Sequence, residues 1–123
     1  MKPRNLLTQL AYLASLLALC VQIPVSHAQD RPIRLIVPFP PGGSTDITAR
    51  LLAEPMTRIL GQTVIVENRG GAAGQLGADA VAKAKPDGYT LLVGNVGTQS
   101  VNPALYAKLP YNPDTAFEPI TMI

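Results

Sequence analysis

Three short apolar runs, IRLIVPF (33–39), TVIVE (63–67) and YTLLVGN (89–95), recur at near-regular intervals, and a helix-patterned segment fills each gap. The runs are rich in β-branched residues and end in proline, glycine or asparagine. Such runs suit strands buried on both faces, as in a parallel sheet. Between the first two, Ile47, Leu51, Leu52, Met56, Ile59 and Leu60 return at three-, four- and five-residue steps, which predicts an amphipathic helix over 44–60. Ser44 or Thr45 is the expected N-cap, Asp46 suits the positive end of the helix dipole, and Gly61 suits the residue just past the end. Pro55, inside that helix, should bend it or weaken one turn. A second, alanine-rich helix is predicted over 75–85, followed by turn chemistry at PDG (86–88). The pattern is βαβαβ, so the fold class expected is α/β with a parallel sheet, right-handed crossovers and strand order 2-1-3. Beyond Thr98 only a short helix over 104–108 is expected. There is no internal repeat.

The first 28 residues have a different character. Lys2 and Arg4 precede the uncharged LLTQLAYLASLLALCV, and Ser26 and Ala28 place small residues at a cleavage position before Gln29. That is the layout of an exported protein's signal peptide, over 1–28, with the folded part over 29–123. Cys20 is the only cysteine and His27 the only histidine. Removal of the leader then excludes disulfides, thiolate nucleophiles, Ser-His-Asp triads and His/Cys zinc sites within this chain. Lys2 and Arg4 also account for the whole formal charge of +2. The remainder is balanced, so the charge gives no argument for nucleic acid as a partner.

In an open parallel sheet, ligands bind beyond the carboxyl ends of the strands. All three connections expected at that edge are rich in small residues: PFPPGGSTD, NRGGAAGQ and GNVGTQSVNP. The connections at the other edge, LGQT and KPDGY, are short and ordinary. Glycines let backbone N–H groups approach a ligand, and a helix N-terminus presents unpaired donors with partial positive charge. A carboxylate held by Gly43, Ser44 and Thr45 is therefore chemically reasonable, against the plainer reading in which Gly42 and Gly43 serve only a tight strand-to-helix turn. Asp46 is either an acceptor for a ligand ammonium or hydroxyl, or a stabiliser of its own helix. Arg69 is either a carboxylate partner or a solvated arginine. Asn95, Thr98, Gln99 and Ser100 offer donors and acceptors on the third loop. PGGSTD lacks the lysine of a phosphate-binding P-loop, and GAAGQLG lacks dinucleotide-site spacing. No catalytic base stands beside a nucleophile, and no cofactor or metal is expected.

RPIRLIVPFPPGGSTDITARLLAEPM, GQTVIVENRGGAAGQLGADAVAKAKPDGYTLLVGN and NPALYAKLPYNPDTAFEPITMI together resemble the N-terminal third of the Bug family. These are extracytoplasmic solute receptors associated with tripartite tricarboxylate transporters. The resemblance implies a periplasmic binding protein with two α/β lobes that close on a small carboxylate, working with membrane permease subunits. It places the carboxylate at Phe39 and Gly42 to Asp46, with Asn95 to Ser100 also facing the cleft. NRGGAAG departs from the family in lacking a proline after the arginine, and Pro55 interrupts the first helix. It further implies that the second lobe, and C-terminal elements returning to the first, lie outside this sequence. The chain is thus expected to be an incomplete first lobe, holding half a cleft with weak or absent ligand affinity. The alternatives are an enzyme lobe binding an anionic or phosphorylated substrate, and a remnant without function.

Overall fold

A computed structural model of the chain describes residues 31–123. The expected leader over 1–28 lies outside the described residues. Three parallel strands, β1 (Ile33–Val37), β2 (Val64–Asn68) and β3 (Thr90–Leu92), form one sheet in the order β2-β1-β3. The register pairs Ile33 with Val64 and Val37 with Asn68 on one side of β1, and Leu35 with Leu91 on the other. The central strand carries the most buried residues: Leu35, Ile36 and Val37 are almost wholly enclosed. Burial of a side chain such as Ile36 contributes roughly 1.5–3 kcal/mol.

The crossover from β1 to β2 is the helix α1 (Ser44–Leu60), and that from β2 to β3 is α2 (Gln75–Ala82). α1 lays Ala53 and Met56 over Ile33, Leu35 and Val64. Its C-terminus is fixed twice. Gly61 turns left-handed with φ +65° and its N–H donates to the Thr57 carbonyl at 3.1 Å. The Thr57 hydroxyl donates to the Ala53 carbonyl and accepts the Val64 N–H at 3.0 Å, which aims the chain into β2. The helix spans Pro55 without interruption. On the other face α2 approaches closely because Gly77 has no side chain: a Cβ there would stand 2.8 Å from Pro38 and from the Arg69 carbonyl.

Several expectations need correction. The helix N-cap is Gly43, with no side-chain cap, so neither Ser44 nor Thr45 caps it. Asp46, in the third helical position, reaches back instead, and its Oδ2 accepts the Gly42 N–H at 2.8 Å. β1 and β3 are shorter at their carboxyl ends than the apolar runs suggest, because Pro38, Phe39 and Val93 to Asn95 belong to loops, whereas β2 extends one residue further, to Asn68. The loop after β2 contains a one-turn helix over Ala72–Gly74, and a π-helical turn over Gly97–Val101 precedes a short helix, α3 (Asn102–Leu105). The expected helix over 104–108 thus starts earlier and stops sooner.

Candidate functional site

Parallel pairing brings three loops to one edge of the sheet: loop 1 (38–43), loop 2 (69–74) and loop 3 (93–101). They touch one another. A Cβ added to Gly74 would lie 2.8 Å from the Thr98 methyl and 3.3 Å from the Phe39 ring, so loops 1 and 3 close against loop 2 at that one glycine. Gly70 likewise backs onto the Phe39–Pro40 peptide.

Loop 1 is held by polar contacts at both ends. Asp46 is only 2% exposed. Its Oδ2 accepts from the Gly42 N–H at 2.8 Å and Arg50 Nε at 3.0 Å, and its Oδ1 from Asn68 Nδ2 at 2.9 Å. The Arg50 hydrogen bond first, then those of Gly42 and Asn68, hold the carboxyl down at about 2. With both oxygens so engaged, Asp46 belongs to the framework of the loop. This corrects its reading as a ligand acceptor. The loop enters α1 with the N–H groups of Ser44 and Thr45 in the first turn, where no intrahelical carbonyl can reach them.

Loop 3 is folded by its own side chains. Asn95 Oδ1 accepts the Gly97 N–H at 2.9 Å and the Thr98 N–H at 3.3 Å, and the Thr98 hydroxyl donates to the Asn95 carbonyl at 3.1 Å. Thr98 is fully buried, so it shapes the loop from beneath and does not line the cleft described next. Gln99 packs its carboxamide beside Gly94, and Ser100 is exposed away from the lining described next.

Loop 2 adopts unusual backbone. Gly71, Ala72, Ala73 and Gly74 all have positive φ, with Ala72 at +48° and Ala73 at +55°. Two consecutive alanines in the left-handed region cost roughly 1–2 kcal/mol each. A buried tether offsets this: Asn102 Nδ2 donates to the Ala73 carbonyl at 3.0 Å, and the Tyr111 hydroxyl donates to the Thr98 carbonyl at 2.7 Å beside it. The segment after β3 thereby splints loops 2 and 3 together.

Between the start of α1 and loop 3 lies a cleft of about 160 Å³, lined by Ser44, Thr45, Thr48, Val93, Gly94 and Asn95, with Ile123 at one side. It joins Ser44 and Thr45 to Asn95 across the sheet edge, with Gly42 and Gly43 exposed next to it and Phe39 turned toward loop 2. Its lining mixes the hydroxyl and carboxamide groups of Ser44, Thr45, Thr48 and Asn95 with the apolar Val93 and Ile123, and carries no charged side chain. A larger, more open groove of about 460 Å³ runs between α1 and β2, lined among others by Ala53, Thr57, Val64 and Val66. None of the glycine-rich loops contributes to it, so the smaller cleft is the candidate site. Arg69 is half exposed and contacts Glu67 at 3.5 Å; it does not line the cleft.

Thr48, Val93 and Gly94 line the cleft without having been singled out in the sequence. Thr48 was accessible to reasoning, since it stands one helical turn after Ser44. Asn68, Arg50, Asn102 and Tyr111 also escaped, because their roles depend on contacts between distant segments. Among the described residues no group of histidine, cysteine or acidic side chains is arranged to hold a metal, and no helix is long and apolar enough to cross a membrane.

Residues 48–123 match the family described as tripartite tricarboxylate transporter family receptor. The chain is 48% identical over 94 residues to protein BugT of Bordetella pertussis, covering 76% of this chain and 29% of that protein. It superposes on the structure of the periplasmic binding protein BugD with a TM-score of 0.66 at 49% identity, over 73% of this chain and 30% of that one. MatC from Rhodopseudomonas palustris, solved with bound malate, gives a TM-score of 0.68 at 48% identity, over 71% of this chain and 30% of that one. The chain therefore spans less than a third of the length of each of these three proteins.

Proposed function

The chain belongs to the tripartite tricarboxylate transporter receptor family, and from that premise we propose that it supplies one wall of a receptor that captures a small carboxylate for uptake. Family members are solute-binding receptors, and periplasmic binding proteins are among them. The reading for this chain is an exported, non-enzymatic periplasmic receptor, over residues 29–123, that passes its ligand to membrane permease subunits. The observation that carries it is the cleft formed by Ser44, Thr45, Thr48 and Asn95 at the carboxyl edge of the sheet. First-turn amides of α1 supply donors with the polarity an anion needs, and uncharged hydroxyl and carboxamide groups stand beside the apolar Val93 and Ile123. The ligand carboxylate would rest on Gly43, Ser44 and Thr45, with Asn95 opposite and Gly42 and Phe39 shaping the approach. Malate, bound by a structure so similar to this one, is the natural probe.

One wall alone buries only part of a small ligand, so affinity in the millimolar range is expected for this chain, equivalent to about 4 kcal/mol. Titration of malate into the isotopically labelled chain, followed by amide NMR, tests the reading. Saturable shifts at Gly43, Ser44, Thr45 and Asn95, with malate chemically unchanged, are the expected result. Shifts confined to other residues, or consumption of the ligand, would overturn it. Because no titratable side chain lines the cleft and malate is fully ionised above about pH 6.5, the malate response should stay flat between about pH 6.5 and 8.

A further inference from the structure

We propose that Asn68 is a positioning residue for the cleft: its carboxamide, wedged between Asp46 and Phe39, sets the direction in which loop 1 presents its backbone amides. The ligand part of this inference rests on the receptor reading above. Loop 1 is poor in donors, since Pro38, Pro40 and Pro41 have no N–H. Its course depends on the two ends that side chains can grip, the Phe39 carbonyl and the Gly42 N–H. Asn68, the last residue of β2, grips the first directly, with Nδ2 donating at 3.2 Å. It grips the second through Asp46: Nδ2 donates to Oδ1 at 2.9 Å, while Oδ2 accepts the Gly42 N–H at 2.8 Å. Arg50 closes the circuit, donating from Nε to Asp46 at 3.0 Å and from Nη2 to Asn68 Oδ1 at 3.0 Å.

The three side chains form a ring in which each orients the other two. Only a carboxamide fits the position of Asn68, with two donors toward two acceptors and one acceptor toward a donor. A carboxylate would face the Asp46 carboxylate and the Phe39 carbonyl, and alanine would leave both without a donor. The ring has a second effect. It draws the negative charge of Asp46 toward Arg50 and beneath the loop, leaving the first-turn amides of α1 open to a ligand's negative charge.

The test compares Asn68→Ala, Asn68→Asp and Arg50→Gln in the full chain, reading amide exchange at Gly42 and malate-induced shifts at Gly43 to Thr45. Asn68→Ala should raise Gly42 exchange about tenfold and weaken the malate response about tenfold, with exchange elsewhere in the sheet unchanged. Asn68→Asp should be weaker still at neutral pH and recover as the pH falls toward about 5, where the introduced carboxyl gains the proton it needs to donate to Asp46. Arg50→Gln, at a half-exposed position that folding tolerates, should move Gly42 in the same direction by less. Exchange rising uniformly across the chain without recovery in Asn68→Asp, or Gly42 and malate responses unchanged in all three variants, would overturn the proposal. If the wild-type chain gives no malate shift, the receptor reading fails and Gly42 exchange alone decides the role of Asn68.

Discussion

Asp46 shows how one buried carboxylate can fix the course of the loop above it. Its acidity is raised by three hydrogen bonds, so the carboxyl titrates at about 2 instead of 3.8. A group whose pKa is lower in the folded state stabilises the fold fully above its unfolded value and loses that contribution as the pH falls through the folded one. Acid unfolding of the chain, followed by circular dichroism, should therefore steepen between pH 3.8 and about 2. Asp46→Asn should flatten that limb and lower stability at neutral pH. Gly74 is the other decisive residue, with φ +87° and loops 1 and 3 against it. Gly74→Ala should cost about 2 kcal/mol through backbone strain and the clash with Thr98. Its thermal midpoint should then fall by roughly 10 °C. At this scale the sequence was only partly legible. The glycines of loop 2 announced unusual backbone, whereas Ala72 and Ala73 carry no such mark. Their left-handed turn exists because Asn102, nearly thirty residues on, binds the Ala73 carbonyl.

At the scale of elements, apolar periodicity found every strand and both crossover helices, yet Ile47, Leu51, Ile59 and Leu60, which announced α1, are half or more exposed, and the helix meets the core through Ala53 and Met56. It overran the strand ends: Pro38 and Phe39 are as apolar as the strand before them, yet no neighbouring strand pairs with them. It missed the turns of loops 2 and 3, whose conformation rests on tertiary hydrogen bonds and not on residue pattern. Pro55 was expected to disturb α1, and the helix accommodates it. The missing N–H still leaves the Leu51 carbonyl, four residues earlier, without its helical donor. Pro55→Ala should therefore raise stability by about 1 kcal/mol, less than the intrinsic helix penalty because proline also restricts the unfolded chain. A thermal melt beside the wild type checks this.

At the scale of the whole molecule, the described residues cover less surface than the sheet and its helices leave apolar. β2 and β3 are both edges, and α1 exposes Leu51 by 72% and Ile59 by 82% on a flank that nothing described here covers. Exposed apolar surface of this kind favours association. Residues 31–123 produced alone should bind a hydrophobic dye and elute as oligomers on size-exclusion chromatography. The double change Leu51→Lys and Ile59→Lys should reduce both effects, at a cost under about 0.5 kcal/mol per site. The candidate cleft was legible at this level, since three small-residue loops at one sheet edge announced it. The clamp beneath it was not, because Asn68 and Asp46 become neighbours only when β2 aligns with β1.

The strand order has a temporal consequence. β1 is the middle of the sheet yet the first of the described strands: Val37 waits for Asn68 on one side, and Leu35 for Leu91 on the other. Loops of this length must close before either pairing gives anything back, so assembly is slow for so small a unit. During synthesis the most apolar segment described here emerges first and is shielded last. In that interval the chain is unfolded and its apolar segment is open to association. The topology that builds the cleft also keeps the newborn polypeptide open until its later strands arrive.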